Sequence, residues 1–199
     1  MMKRLFDLIV ALTLLVLASP LILVVSLLIK LTSSGPVFFA HRRCGFQGQH
    51  LPCLKFRTMV QDAEEVLSND RELHDLYRDS DFKVPRDRDL RVTKMGHFLR
   101  YTHVDELPQL INVLTGGMSL VGPRPIISDE LEIYGSRADE LLSVRPGVFG
   151  VWTAQGKDRV SYPERADLEL EYVRTRSFLG DLFILARNIP VLIWGQTDD

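Results

Sequence analysis

Asp105 and Glu106 are adjacent carboxylates that precede an apolar run, with Pro108 just behind them and Arg100 five residues ahead. Arg124 stands between Pro123 and Pro125, whose rings restrict the backbone and hold its guanidinium stiffly. Arg145 precedes a Pro146-Gly147 pair. A guanidinium fork pairs with two phosphate oxygens at once. A carboxylate pair suits a divalent cation that shields a pyrophosphate. Together these residues point to chemistry on phosphate esters. A plainer reading competes: Asp is a favoured N-cap and Glu suits a first helical turn, so the pair alone marks only where a helix begins.

The elements around these residues can be read from pattern. Residues 37–43 and 51–59 are rich in β-branched and aromatic side chains and flank Gly45-Phe46-Gln47-Gly48, which predicts a β-hairpin. Val92, Met95, Phe98 and Leu99 recur at helical spacing across 92–101. A second helix is predicted over 107–114, opened by the acidic pair and ended by Gly116-Gly117. Pro123-Arg124-Pro125 reads as an extended connector. Further helices are predicted over 128–144, before a Pro146-Gly147 turn, and over 163–176. The mixed charges of 62–79 predict an exposed helix followed by a loop through Pro85. Residues 178–194 are apolar, as core or as an interfacial helix anchored by Trp194.

Residues 8–29 carry no charge and are almost wholly apolar, about the length that crosses a bilayer core. Ser19-Pro20 lies in the middle, where a proline bends or breaks a helix. Lys3 and Arg4 precede the stretch and Lys30, Arg42 and Arg43 follow it. Positive charge favours the cytoplasmic side, and here it flanks both ends. A straight span and a re-entrant dip are equally compatible with charge and proline alone. A signal peptide fits less well, because the apolar run continues past Ala18. No acidic residue falls between Asp7 and Asp62, so the basic segment suits anionic headgroups or an anionic ligand.

Of the 199 residues, some 170 follow the apolar stretch, enough for one compact domain. The formal net charge of −2 gives no case for a nucleic-acid binder. Cys44 and Cys53 have neither CxxC nor Cys/His spacing, so neither zinc nor a disulfide framework is indicated.

In order along the chain stand Lys3-Arg4-x-Phe6-Asp7, Ser19-Pro20, Lys55-Phe56-Arg57-Thr58-Met59, Gly96-x-x-Leu99-Arg100, Asp105-Glu106-Leu107-Pro108-Gln109-Leu110, Met118-Ser119-x-Val121-Gly122-Pro123-Arg124-Pro125 and Arg145-Pro146-Gly147. This series resembles the bacterial sugar transferase family, the monotopic phosphoglycosyl transferases that begin glycan assembly on polyprenyl phosphate. The resemblance covers nearly the whole chain and is to the small members, which consist of the catalytic domain alone.

The resemblance implies an α+β fold: a mostly helical cytosolic domain (33–199) with a small β-hairpin and an interfacial C-terminal helix. It also implies a re-entrant helix-break-helix membrane hairpin (1–32) kinked at Ser19-Pro20. Asp105 would be a nucleophile toward a UDP-sugar, expelling UMP, and polyprenyl phosphate would then take the phosphosugar from it. Mg2+ would be held by Asp105 and Glu106. Arg100, Arg124 and Arg57 would hold phosphate charge, with Lys55 and Arg145 in support. The enzyme would work at the cytoplasmic face of the bacterial inner membrane, beside anionic lipid. Two segments depart from the family pattern. In Gly147-Val148-Phe149-Gly150-Val151-Trp152-Thr153-Ala154-Gln155-Gly156-Lys157 the glutamine falls two places late and Lys157 replaces an arginine. In Leu168-Glu169-Leu170-Glu171-Tyr172-Val173, Glu169 replaces an aspartate proposed as an active-site acid. Two other functions compete: a glycosyltransferase that releases UDP, and a membrane-anchored scaffold without catalysis.

Overall fold

The structure is a computed structural model that describes residues 2–82, 84–85, 88–152 and 160–194, with side chains to Asn188. It is mostly helical, with two small two-stranded sheets.

Helix α1 (Met2–Thr32) is a single 31-residue element, long and apolar enough to cross a membrane. The helix continues through Ser19-Pro20, where the sequence predicts a bend or break. The local chemistry accounts for this continuity. Pro20 has no N–H to give Val16 O four residues back, and the Ser19 hydroxyl donates to that same carbonyl at 2.8 Å.

Both ends of α1 are bound to the rest of the chain. Near the start, Lys3 Nζ donates to Asp181 and to Val121 O, and Arg4 donates to Val113 O at 2.8 Å. Asp7 is buried and accepts from Ser119 Oγ at 2.7 Å. Ala11 completes this contact in the main core. Near the end, Val25 and Ile29 pack with Phe56 and Leu99. Lys30 donates to Gly35 O, and the Arg57 guanidinium binds Ser33 and Ser34. Between these docked ends, Leu12, Leu14, Val16, Leu17, Leu21, Leu23 and Val24 are exposed. Full burial of an exposed side chain of this kind is worth about 1.5–3 kcal/mol, and each of these partly exposed ones would gain a fraction of that on leaving water.

Strands β1 (Phe38–Cys44) and β2 (His50–Phe56) form the expected antiparallel hairpin, with His41 opposite Cys53 and Arg43 opposite Leu51. Alternation puts His41, Arg43, Cys53 and Lys55 on one face. The region expected as one helix over 62–79 is two, α2 (Ala63–Asn69) and α3 (Arg71–Asp79). Asp70 divides them because its side chain accepts from Leu73 N at 3.0 Å, an N-cap that starts a new helix. Helix α4 (Lys94–Tyr101) begins at a Thr93 cap, two residues later than the apolar spacing predicts.

The acidic pair does not open the next helix. Val104–Glu106 form a separate 3-10 turn entered through His103 in the left-handed region, and α5 (Gln109–Thr115) starts after Pro108. Glu106 N and Leu107 N bond three residues back, to His103 O and Val104 O. Asp105 is therefore no N-cap.

The 146–149 segment is likewise not a simple turn. Strand β3 (Ser119–Val121) pairs in parallel with β4 (Gly147–Phe149). A Cβ at Gly147 would run into the Gly122 backbone, so this pairing requires glycine there. The chain continues through α6 (Ser128–Tyr134), α7 (Ala138–Leu142), α8 (Glu164–Thr175) and α9 (Phe178–Trp194). The expected helix over 128–144 is thus split, by a 3-10 turn at Gly135–Arg137 where Gly135 has positive φ. On α9, Leu179 and Phe183 are exposed. Trp194 as an interfacial anchor lies outside the described side chains.

Candidate active site

Asn112 fixes the acidic turn against the hairpin. It is buried on α5, accepts from Leu54 N and donates to Pro52 O, both at 2.8 Å. With α5 clamped to β2, the 3-10 turn before it meets the end of β2. Lys55 Nζ then reaches Glu106 Oε1 at 2.9 Å. Asp105, on the same turn, is 7% exposed and, unlike Glu106, is not among the residues that line the adjacent cleft.

A shallow open cleft lies between the hairpin face and the β3–β4 connections. Lys55, Glu106 and Arg124 line it, joined by Arg43, Cys53 and the backbone at Gly147–Gly150. The guanidinium of Arg124 lies 5.4 Å from the Trp152 ring and makes no ion pair among the described residues. Arg43 pairs with the buried Glu130 at 3.2 Å.

Three cations around one cleft leave an electrostatic mark on His41. Burial, with the charges of Arg43, Lys55 and Arg124, pushes its imidazole down to about 3. It is therefore neutral near pH 7, and its Nδ1 can accept from Arg43 at 2.9 Å. Burial pushes the Cys53 thiol up, against the neighbouring cations, so it is not a ready nucleophile.

Arg100, Arg57 and Arg145 do not line this cleft. Arg100 donates from Nε to Thr58 Oγ1 at 3.0 Å and lies 3.9 Å from Asp89, whose carboxylate holds Arg91. It stands on α4, outside the cleft lining. Arg57, expected at phosphate, is buried and ties β2 to the residues after α1. Arg145 donates to Gly116 O at 2.8 Å and covers the Phe46 ring, so it braces the hairpin tip.

Glu169 is fully buried beneath Arg124. It accepts from Arg124 N at 3.2 Å and from the Tyr134 hydroxyl at 2.6 Å, with Arg165 3.6 Å away. Burial raises its carboxyl above the ordinary range, and burial followed by the Glu169 charge raises the Tyr134 phenol. Its contacts are those of a brace for the Arg124 backbone. The altered 153–157 segment lies outside the described residues.

Sequence reasoning missed Arg43, Asn112, Trp152 and Arg165 as parts of the site. Period-two alternation within the hairpin would have placed Arg43 on the face of Lys55. No local signal marks the other three.

Among the described residues, no three His, Cys, Asp or Glu side chains group as a metal cage. The donor set of Asp105 and Glu106 is of the kind Mg2+ takes, one or two carboxylates with water and substrate phosphate completing the shell, while Lys55 holds one Glu106 oxygen.

A membrane-length helix docked at both ends, and an acidic turn beside a cationic cleft, suit an enzyme that handles phosphate esters beside a membrane. The chain belongs to the bacterial sugar transferase family, whose pattern it matches over residues 1–195, and it is a phosphoglycosyl transferase. It is 43% identical over 193 residues to the exopolysaccharide production protein ExoY of Rhizobium meliloti (strain 1021), covering 96% of this chain and 85% of that one. It is 41% identical over 196 residues to the undecaprenyl-phosphate galactose phosphotransferase of Salmonella typhimurium, covering 96% of this chain and 40% of that protein. With the UDP-glucose:undecaprenyl-phosphate glucose-1-phosphate transferase of Escherichia coli (strain K12) it shares 36% over 193 residues, 93% of this chain and 39% of that one.

Proposed function

We propose that the chain transfers a sugar-1-phosphate from a UDP-sugar to polyprenyl phosphate, releasing UMP and forming polyprenyl diphosphate-sugar, an early membrane step of glycan assembly. The observation that carries this reading is the meeting of the Asp105-Glu106 turn with the cations Lys55 and Arg124 at one cleft. The names of the Salmonella and Escherichia relatives supply the acceptor and donor classes.

In this reading an Asp105 carboxylate oxygen attacks the sugar-proximal phosphorus. The bond from that phosphorus to the bridging oxygen breaks, and UMP leaves with the electron pair. The aspartyl-phosphosugar is then attacked by a phosphate oxygen of polyprenyl phosphate, which frees Asp105. Two displacements through one carboxylate give ping-pong kinetics. Arg124 and Lys55 stabilise the charge that gathers on the phosphoryl oxygens, the main task in phosphoryl transfer. Arg100, tied to Thr58 and Asp89 outside the cleft lining, steadies the helix that leads into the acidic turn. Asp105 and Glu106 would hold Mg2+, which neutralises diphosphate charge. Glu169 acts by holding Arg124.

The proposed site lies at the cytoplasmic face of the bacterial inner membrane, with α1 dipping into one leaflet and returning. The docking of both ends of α1 supports this topology. Between buried Ala11 and buried Val25, residues 12–24 extend only about 20 Å as helix, short of a bilayer core of about 30 Å. So short a segment between two docked points favours a dip over a full span.

The experiment is to incubate the purified protein with polyprenyl phosphate, Mg2+ and a panel of UDP-sugars and identify the nucleotide released. UMP is expected. UDP would mark a sugar-only glycosyltransferase, and no nucleotide from any donor would mark a scaffold.

A further inference from the structure

Arg43 faces the cleft from β1 and is part of none of the motifs that point to the site. Its surroundings resemble those of Arg124 in one specific way: each is held by a buried carboxylate. Glu130 pairs with Arg43 at 3.2 Å, and Glu169 accepts from the Arg124 backbone N–H at 3.2 Å. Arg165 joins the two carboxylates, 3.4 Å from Glu130 and 3.6 Å from Glu169. It is itself buried between the Trp152 and Tyr162 rings, at 4.6 Å from each. Glu130 also accepts from Ile127 N at 2.9 Å and from the Tyr162 hydroxyl at 3.1 Å.

This layout has an electrostatic consequence. Burying Glu130, Glu169 and Arg165 is costly, and a fold keeps such ions only where pairing offsets the desolvation. Here the two carboxylates share Arg165, so neither fully neutralises the arginine that it positions. Arg43 and Arg124 are close enough for each to act on the other's charge, and together with Lys55 they depress the His41 imidazole. A cleft held this positive favours an anion in its mouth.

We propose that Arg43 is a phosphate-binding residue that works with Arg124 as a two-arginine clamp, with Arg165, Glu130 and Glu169 as the buried brace that positions both. The proposal rests on the transferase reading above and adds a residue to its site. The phosphate bound is that of the nucleotide donor or that of the polyprenyl acceptor, and the two arms of the test separate them.

The test uses the full-length protein in detergent or nanodiscs, with the variants Arg43→Gln, Arg43→Lys, Glu130→Gln and Arg43→Gln/Glu130→Gln. UDP affinity is measured by calorimetry, the acceptor KM by UMP release, and folding by thermal melting. Arg43→Gln is expected to weaken either UDP binding or the acceptor KM by about tenfold or more, with Arg43→Lys intermediate because it keeps the charge and loses the fork. The double variant should stay as weak as Arg43→Gln. It also carries the test should the single variant melt early, since it removes the charge left unpaired on Glu130. Recovery of wild-type binding in the double variant would show that Arg43 serves only to neutralise Glu130, and would overturn the proposal. So would wild-type behaviour of Arg43→Gln in both arms. Wild-type protein that releases no UMP from any donor would instead sink the transferase reading, so the two failures are distinguishable.

Discussion

Lys55 Nζ lies 2.9 Å from Glu106 Oε1, joining the last part of the hairpin to the acidic turn at the residue beside Asp105. The contact sets the distance between the groups that would hold phosphate and the carboxylate that would attack it. It is partly exposed, so its value is in positioning more than in stability. Behind it stands the Asn112 clamp, and beyond it the Arg124 guanidinium, held at its backbone by Glu169.

The Asn112 clamp should be felt in stability. Asn112→Ala removes both hydrogen bonds to the hairpin and leaves Leu54 N without its acceptor. A loss of about 1–3 kcal/mol is expected, read as a lower melting point. Transfer activity should fall further than stability alone explains, since the acidic turn loses its register against Lys55.

Arg124 should behave in the opposite way. Its guanidinium stacks near Trp152 and pairs with no carboxylate among the described residues. Arg124→Gln is expected to reduce kcat/KM by about 10²–10³-fold, the usual effect of deleting one donor to developing charge, while the melting point changes little. Near-normal turnover would remove Arg124 from the site.

His41 gives a pH dependence of stability. Its folded value is depressed from 6.5 to about 3, so the unfolded chain takes up a proton that the folded chain refuses between those values. The His41 contribution is complete above about 6.5 and is lost as pH falls toward about 3. His41→Gln should flatten that part of the profile in chemical denaturation. Imidazole resonances of the folded wild type should show His41 neutral at pH 5.

The account of α1 predicts its topology. Cysteines introduced at positions 2 and 33, in a background lacking Cys44 and Cys53, should react with a membrane-impermeant reagent from the same face. Reaction from opposite faces would contradict the re-entrant reading.

Much of this was legible in the residues and some was not. The hairpin could be read because its β-branched runs flank a Gly-rich turn, and α9 because 178–194 is apolar with only Asp181 and Arg187 as charges. The start of α5 was misread: Asp105-Glu106-Leu107-Pro108 has a good N-terminal composition, but His103 in the left-handed region gives those residues a turn of their own. The β3–β4 pairing was hidden because three-residue strands joined over 25 intervening positions have no local signature. Arg57 and Arg145, expected at phosphate, also make contacts within the fold that their charge does not announce: Arg57 with Ser33 and Ser34, and Arg145 Nε with Gly116 O. Lys3 and Arg4 are similar: they suggested a side of the membrane, and they also tie α1 to Asp181, Val121 and Val113. Ser19-Pro20 reads as a bend or break; α1 is helical throughout, and the serine hydroxyl covers the carbonyl that the proline leaves without a donor, the partner that a bend in lipid needs.

The central claim is that Asp105 carries the sugar phosphate between donor and acceptor. Intact-protein mass spectrometry of wild type and Asp105→Asn, each incubated with Mg2+ and a UDP-sugar but no polyprenyl phosphate, tests it most directly. The account predicts a mass increase of one sugar phosphate on the wild type, matched by release of one equivalent of UMP, removed on adding polyprenyl phosphate and absent from a folded Asp105→Asn. Steady product formation by Asp105→Asn, or product formed with release of UDP, would contradict it.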